Sequence, residues 1–145
     1  MSIRSFFLVL IQFLSFIYFA IVKNTIAKEN YLIAIQIIGL IIGLWGVLAM
    51  KFTNFNIQPE VKKGAFFVQT GPYRYIRNPM YTGLILAYGS AIISHYSTLN
   101  LLVYLVLVTS LILKIYSEEK YLSQRFGQDY LSYKKTTKRL IPYIY

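Results

Sequence analysis

The sequence predicts an all-α protein: an integral membrane helical bundle with about four transmembrane helices and a cytosolic amphipathic C-terminal helical segment. Three observations carry that expectation. Of 145 residues, 57% are hydrophobic and 14% charged, where a soluble domain carries about a quarter charged; the mean hydropathy is +0.52. The apolar residues gather into uncharged blocks, Ser5 to Val22, Tyr31 to Met50 and Asn78 to Leu113, and the first two match the roughly 20 residues that one helix needs to cross the hydrocarbon. The third block is about twice too long for one crossing and is broken by Ser94-His95-Tyr96-Ser97-Thr98. It reads as two helices joined by a tight turn.

The helices are expected over about 3–22, 31–50, 80–93 and 99–116, with a cytosolic connector over 51–79 and a C-terminal segment over 118–145. One domain, 1–145, accounts for the chain. The first helix is rich in Phe and Leu and poor in small residues, which suits a peripheral, lipid-facing position. Its apolar stretch is too long for a signal peptide and no small-x-small cleavage site follows it. The second helix carries Gly39, Gly43 and Gly46. Gly39 and Gly43 share a face, and such spacing lets another helix approach closely, in the same chain or in a second copy; Trp45 is placed to fill space beside them. The connector is punctuated by Asn54, Asn56, Pro59, Gly64 and Gly71, with the apolar patch Ala65-Phe66-Phe67-Val68 inside it. A long connector without regular structure is often functional. The third helix is short for a crossing. His95, in the turn after it, has no ionisable partner nearby in sequence and reads as a solvated turn residue. From Glu118 onward, Tyr121, Leu122, Phe126, Tyr130, Leu131 and Tyr133 recur at roughly helical spacing among charges, and Gly127 marks a break. The basic run 134–139 reads as a solvated face on the inner membrane surface.

The formal net charge is +10. With both termini and the polar connector in the cytoplasm, every basic residue except Lys23 and Lys28 falls on the inner side, as the positive-inside bias requires. Anionic lipid accounts for that charge, so no nucleic-acid partner is invoked. The chain has no cysteine and one histidine, which excludes disulfides, cysteine nucleophiles and a thiolate or multi-histidine metal site; no metal is expected.

Two polar clusters carry the chemistry. The first is Gly71-Pro72-Tyr73-Arg74-Tyr75-Ile76-Arg77-Asn78-Pro79-Met80-Tyr81-Thr82-Gly83. Its prolines disfavour helix at Gly71 and Asn78, and Pro79 suits the first turn of the third helix. Free N–H groups at that helix start would favour a carboxylate or phosphate, with Arg74 and Arg77 adding charge and Tyr73, Tyr75 and Tyr81 adding rings and hydroxyls. The second cluster is Glu118-Glu119, two carboxylates that are costly beside a membrane unless paired or wet. Pairing with Lys114 and Arg125 is one account of them; holding hydroxyls or a cation of a ligand is the other. A ligand with an anionic end, a flat base, a diol and a central cation would satisfy both clusters, and S-adenosyl-L-methionine has all four.

The Gly71–Gly83 segment resembles the signature of the isoprenylcysteine carboxyl methyltransferase and phospholipid methyltransferase superfamily, Gly-x-Tyr, three residues, then Arg-His/Asn-Pro-x-Tyr-x-Gly. Glu118-Glu119, Leu122, Phe126-Gly127-Gln128-Asp129-Tyr130, Tyr133 and the closing Ile141-Pro142 resemble its second block. The resemblance covers about Gln58 to Pro142. It implies S-adenosyl-L-methionine-dependent methyl transfer to a lipophilic acceptor from the bilayer, a lipid amine or a hydrophobic carboxylate, at the cytosolic face. It also implies cofactor contacts from Tyr73, Asn78, Pro79, Met80, Tyr81, Glu118 and Glu119, with Gln58, Phe66, Phe67 and Val68 completing the pocket. Asn78 stands where the best-known members have histidine. Lys114 stands where the isoprenylcysteine enzymes have an arginine that holds the substrate carboxylate, so Lys114 is the expected substrate-binding residue, with the charge but not the planar fork. The other readings are a non-catalytic membrane adaptor or degenerate member, and an NADPH-dependent lipid reductase, whose sequences end in a similar Arg-x-Pro-x-Tyr-x-Gly segment. The sequence names neither a catalytic base nor an oligomeric state.

Overall fold

In hydrocarbon a backbone must satisfy its own polar groups, which favours helices, and uncharged runs of this length fold accordingly. The computed structural model describes residues 3–22, 25–50 and 68–145. It contains α1 (Ile3–Val22), α2 (Asn30–Met50), α3 (Pro79–Ser94) and α4 (Thr98–Thr136), with a 3-10 turn at Gly71–Arg74 leading into α3. Helices α1, α2 and α4 are long and apolar enough to cross a membrane. Helix α3 has 16 residues, about 24 Å at 1.5 Å per residue, somewhat less than a hydrocarbon core of about 30 Å. The whole is a helical membrane bundle, as the composition predicts.

Helix α2 packs chiefly on α3, and α1 on α4. The α2–α3 contact is made backbone to backbone by glycine. A Cβ on Gly83 would lie 2.5 Å from the Gly39 carbonyl oxygen and 2.8 Å from the Gly43 Cα, and one on Gly39 would lie 2.8 Å from the Leu86 Cβ. The small-residue face of α2 therefore serves a neighbour in its own chain. Trp45 leans on the entry to the 3-10 turn, where Gly71 has φ +60° and a Cβ would meet the indole nitrogen at 3.2 Å. Helix α1 buries a stripe of Ser5, Leu8, Gln12, Ser15 and Phe19, and leaves Phe6, Phe7, Phe13, Leu14 and Ile17 exposed, the peripheral position its composition implies. Tyr18 Oη donates to Asn100 Oδ1 at 2.8 Å, and Phe16 and Phe19 stack on Tyr88.

The ends of the bundle differ. At the hairpin end, Ser97 caps α4 by accepting from the Asn100 N–H, Lys28 N–H donates to Ser94 Oγ at 2.8 Å, and the half-buried His95 ring lies 2.8 Å from the Ile26 carbonyl. At the other end, α4 departs from expectation. It does not stop near Tyr116 before a separate segment, but continues to Thr136, with non-helical geometry only at Gly127 (φ 51°, ψ −124°). Nothing between Tyr116 and Phe126 breaks a helix, and Lys114 and Glu118 pair across one turn. The break expected at Gly127 is present.

A methyl group added to Gly83 has no space, so Gly83→Ala should destabilise the protein by about 1–3 kcal/mol. Gly43→Ala, whose Cβ would sit 3.7 Å from its nearest neighbour, should change stability by less than about 0.5 kcal/mol. Melting of the two variants in detergent checks the difference.

Candidate functional site

The site is assembled where the proline-bounded segment enters α3 and the diacid leaves the apolar part of α4. Pro72 lies in the 3-10 turn and Pro79 in the first turn of α3, which fixes the backbone between them. The chain after α4 then returns as a strap across this elbow. Ile76 and Lys138 form an isolated parallel bridge. Arg77 N–H donates to the Lys138 carbonyl at 2.7 Å, and Asn78 N–H to that of Arg139 at 3.1 Å. The Asn78 side-chain nitrogen also donates to the Arg139 carbonyl, and Thr82 Oγ1 to that of Leu140. Tyr81 and Thr82 N–H bond to the Asn78 carbonyl. The expectation of free N–H groups awaiting an anion at this helix start is thus corrected at Arg77, Asn78, Tyr81 and Thr82: the strap and the local turn already satisfy them.

Glu119 explains why the strap lies there. Glu119 is 4% exposed, and its carboxylate receives Arg77 Nε at 2.9 Å, Arg139 Nη2 at 3.1 Å and Lys134 Nζ at 3.5 Å. Arg77 also donates to the Thr137 and Lys134 carbonyls. The pairing with Arg125 is not found; Arg125 lies over the Phe126 ring. Nor is the run 134–139 merely a solvated face. Lys135 and Lys138 are exposed, but Arg139 and Lys134 are drawn in because a buried carboxylate needs charge-assisted donors.

Glu118 has a different environment. Tyr81 Oη donates to its Oε1 at 2.7 Å, and Lys114 Nζ lies 3.9 Å from the same oxygen and 5.4 Å from the Tyr81 ring centre. Beside this group is a cavity of about 100 Å³ lined by Val68, Tyr73, Arg77, Asn78, Met80, Tyr81, Glu118, Glu119, Leu122, Tyr130 and Tyr133, together with Met50. Tyr73 is 5% exposed. Its backbone carbonyl accepts from Tyr133 Oη, but its own hydroxyl is buried with no hydrogen-bond partner among the described residues. Burial first, then the charge of Glu118, raises the Tyr73 phenol above its ordinary pKa, so it stays a neutral donor. A second, mainly apolar groove of about 770 Å³ lies between α1, α2 and α3, and shares Met80 and Tyr81 with the first cavity; Lys114 is at its wall.

Of the sequence-chosen residues, Val68, Tyr73, Asn78, Met80, Tyr81, Glu118 and Glu119 line one cavity. Pro79 is fully buried in the elbow, and Lys114 faces the adjoining groove. Gln58, Phe66 and Phe67 lie outside the described residues. Residues not anticipated as part of the site are Tyr130, Tyr133, Leu122, Met50 and Arg139. For Tyr130 and Tyr133 the signal was their place in the second motif, just past Gly127; for Arg139 no local signal existed.

The fold and site define a small helical membrane protein whose two sequence motifs converge on one cavity, which carries the carboxylate of Glu118 and shares Met80 and Tyr81 with an apolar groove. The chain belongs to the phospholipid methyltransferase family, whose model matches residues 30–129, and membrane methyltransferase activity follows from that membership. No curated protein matches the chain.

Removing the charge of Glu119 would leave three cations facing one neutral group. Glu119→Gln should therefore destabilise the protein by about 3–5 kcal/mol, whereas Arg125→Gln should cost less than about 0.5 kcal/mol. Denaturant titration followed by tyrosine fluorescence, with hydrogen exchange at the strap, checks both.

Proposed function

We propose that this chain uses S-adenosyl-L-methionine to methylate a lipophilic acceptor, with the cofactor entering from the cytosol and the acceptor from the bilayer. The observation that carries the reading is the 2.7 Å hydrogen bond between Tyr81 and Glu118, which joins the two motifs where the cavity adjoins the apolar groove. The residues present suit such a cofactor. Glu118 offers a carboxylate to a cation or to hydroxyls, Tyr73 offers a buried hydroxyl with no partner among the described residues, and the rings of Tyr73, Tyr81, Tyr130 and Tyr133 give flat surfaces. When bound, the cofactor supplies an electrophilic methyl group on a sulfonium.

What the chain does is position, shield and balance charge. Met80 and Tyr81, shared by both spaces, are where acceptor and donor would meet in line, and holding reactants in such geometry is itself a large part of the rate. The apolar groove excludes water from that point. Lys114, buried and close to Glu118, would sit at the acceptor's head. Tyr73, Asn78, Met80, Tyr81, Glu118 and Val68 are the cofactor-side residues in this reading. Glu119, whose oxygens are already held by Arg77 and Arg139, holds the site together rather than touching the cofactor. Both termini and the site are assigned to the cytoplasmic side, because that orientation keeps the basic residues inside.

S-adenosylhomocysteine should raise the melting temperature of the detergent-purified protein, and NADPH should not. Tyr81→Phe and Glu118→Gln should each weaken S-adenosylhomocysteine binding by about tenfold or more, since a hydrogen bond to a charged group contributes about 1.5–3 kcal/mol. Calorimetric titration reads the change. Unaltered binding in both variants would put the cofactor elsewhere.

A further inference from the structure

The apolar groove contains two glutamines in very different circumstances. Gln36 is fully used: its oxygen accepts from the Ala27 N–H, and its nitrogen donates to the Thr25 and Ala87 carbonyls. Gln12 lies in the middle of α1, on the stripe that faces α4, is 5% exposed, and lines the groove. Its amide has no hydrogen-bond partner among the described residues. The neighbouring polar group on the same stripe, Ser15, is satisfied by the Ile11 carbonyl. An unpaired amide surrounded by hydrocarbon is unfavourable, and a leucine at this position would pack without that penalty. A polar side chain kept at such a depth is explained by something polar that enters the groove.

We propose that Gln12 is a specificity-determining residue that binds a carbonyl in the tail region of the acceptor lipid. The depth can be read from helix register. Tyr18 and Asn100 are level, being hydrogen bonded, and α1 and α4 run in opposite directions. Gln12 is six residues below that level and Lys114 fourteen, so the two differ by eight residues, about 12 Å at 1.5 Å per residue. A lipid with its head at Lys114 and Tyr81 would thus present to Gln12 the part of the molecule about 12 Å along. An acyl lipid has ester or amide carbonyls in that region, where a plain polyisoprenoid or alkyl chain has only hydrocarbon. The amide of Gln12 can donate to such an oxygen and, in binding it, would satisfy its own hydrogen-bonding need. This inference rests on reading the groove as the acceptor's route.

The test uses the full chain in detergent and three lipids with one ethanolamine phosphate head: a diacyl glycerolipid, its dialkyl ether twin, and an N-acyl sphingoid lipid. For the wild type, at least one carbonyl-bearing lipid should raise the melting temperature several degrees more than the ether twin. An ester effect points to a glycerolipid and an amide effect to a sphingoid lipid. Gln12→Leu should melt higher than wild type without lipid and lose the distinction among lipids; Gln12→Met, closer in shape, should do the same. Equal stabilisation of the wild type by all three, or a distinction that survives both substitutions, overturns the proposal. Stabilisation of the wild type by S-adenosylhomocysteine, measured in parallel, tells failure of this inference from failure of the methyltransferase reading.

Discussion

One carboxylate, Glu119, organises the motif end of the molecule. It is buried and faces three cations from three separate places in the chain: Arg77 before α3, Lys134 on the last turn of α4, and Arg139 in the strap. A buried charge without partners would be strongly unfavourable, so folding α4 into place requires these cations to be gathered around it. Their arrival brings the strap carbonyls onto Arg77 and Asn78. The elbow, the strap and the far half of α4 thus become one unit, and the cavity is the space they leave.

Glu118, one residue earlier, is used differently because helix geometry turns it to another face. There it meets Tyr81 and Lys114 instead of the arginines. The two adjacent acids thereby have separate surroundings: Glu119 ties the strap to the elbow, and Glu118 faces Tyr81 and Lys114. The glycine contact between α2 and α3 supplies the other constraint, since it lets α3 stand against α2 with Met80 and Tyr81 at the junction of cavity and groove. Position and charge, more than acid–base chemistry, are what such an assembly offers to a methyl transfer.

Much of this was legible in the sequence. Uncharged runs gave the helices, because hydrocarbon permits little else, and Gly71–Gly83 with Glu118-Glu119 gave the two sides of the cavity. Gly127 gave the break in α4. What was not legible depended on long-range pairing. The strap is bound by backbone carbonyls, which carry no sequence signature, so Arg139 and Lys134 read as part of a solvated basic run. The N–H groups of Arg77 and Asn78 read as free for the same reason. Helix α4 ran on past Tyr116 because a polar helix can continue into water when it packs on its own chain; hydropathy marks the edge of the membrane, not the end of the helix.

The central claim is that the elbow before α3 and the diacid on α4 enclose a single ligand. Hydrogen–deuterium exchange of the purified protein with and without S-adenosylhomocysteine tests it most directly. Protection appearing together over residues 71–83 and 114–122 is the result expected. Protection confined to one of these segments, or absent from both, would contradict it.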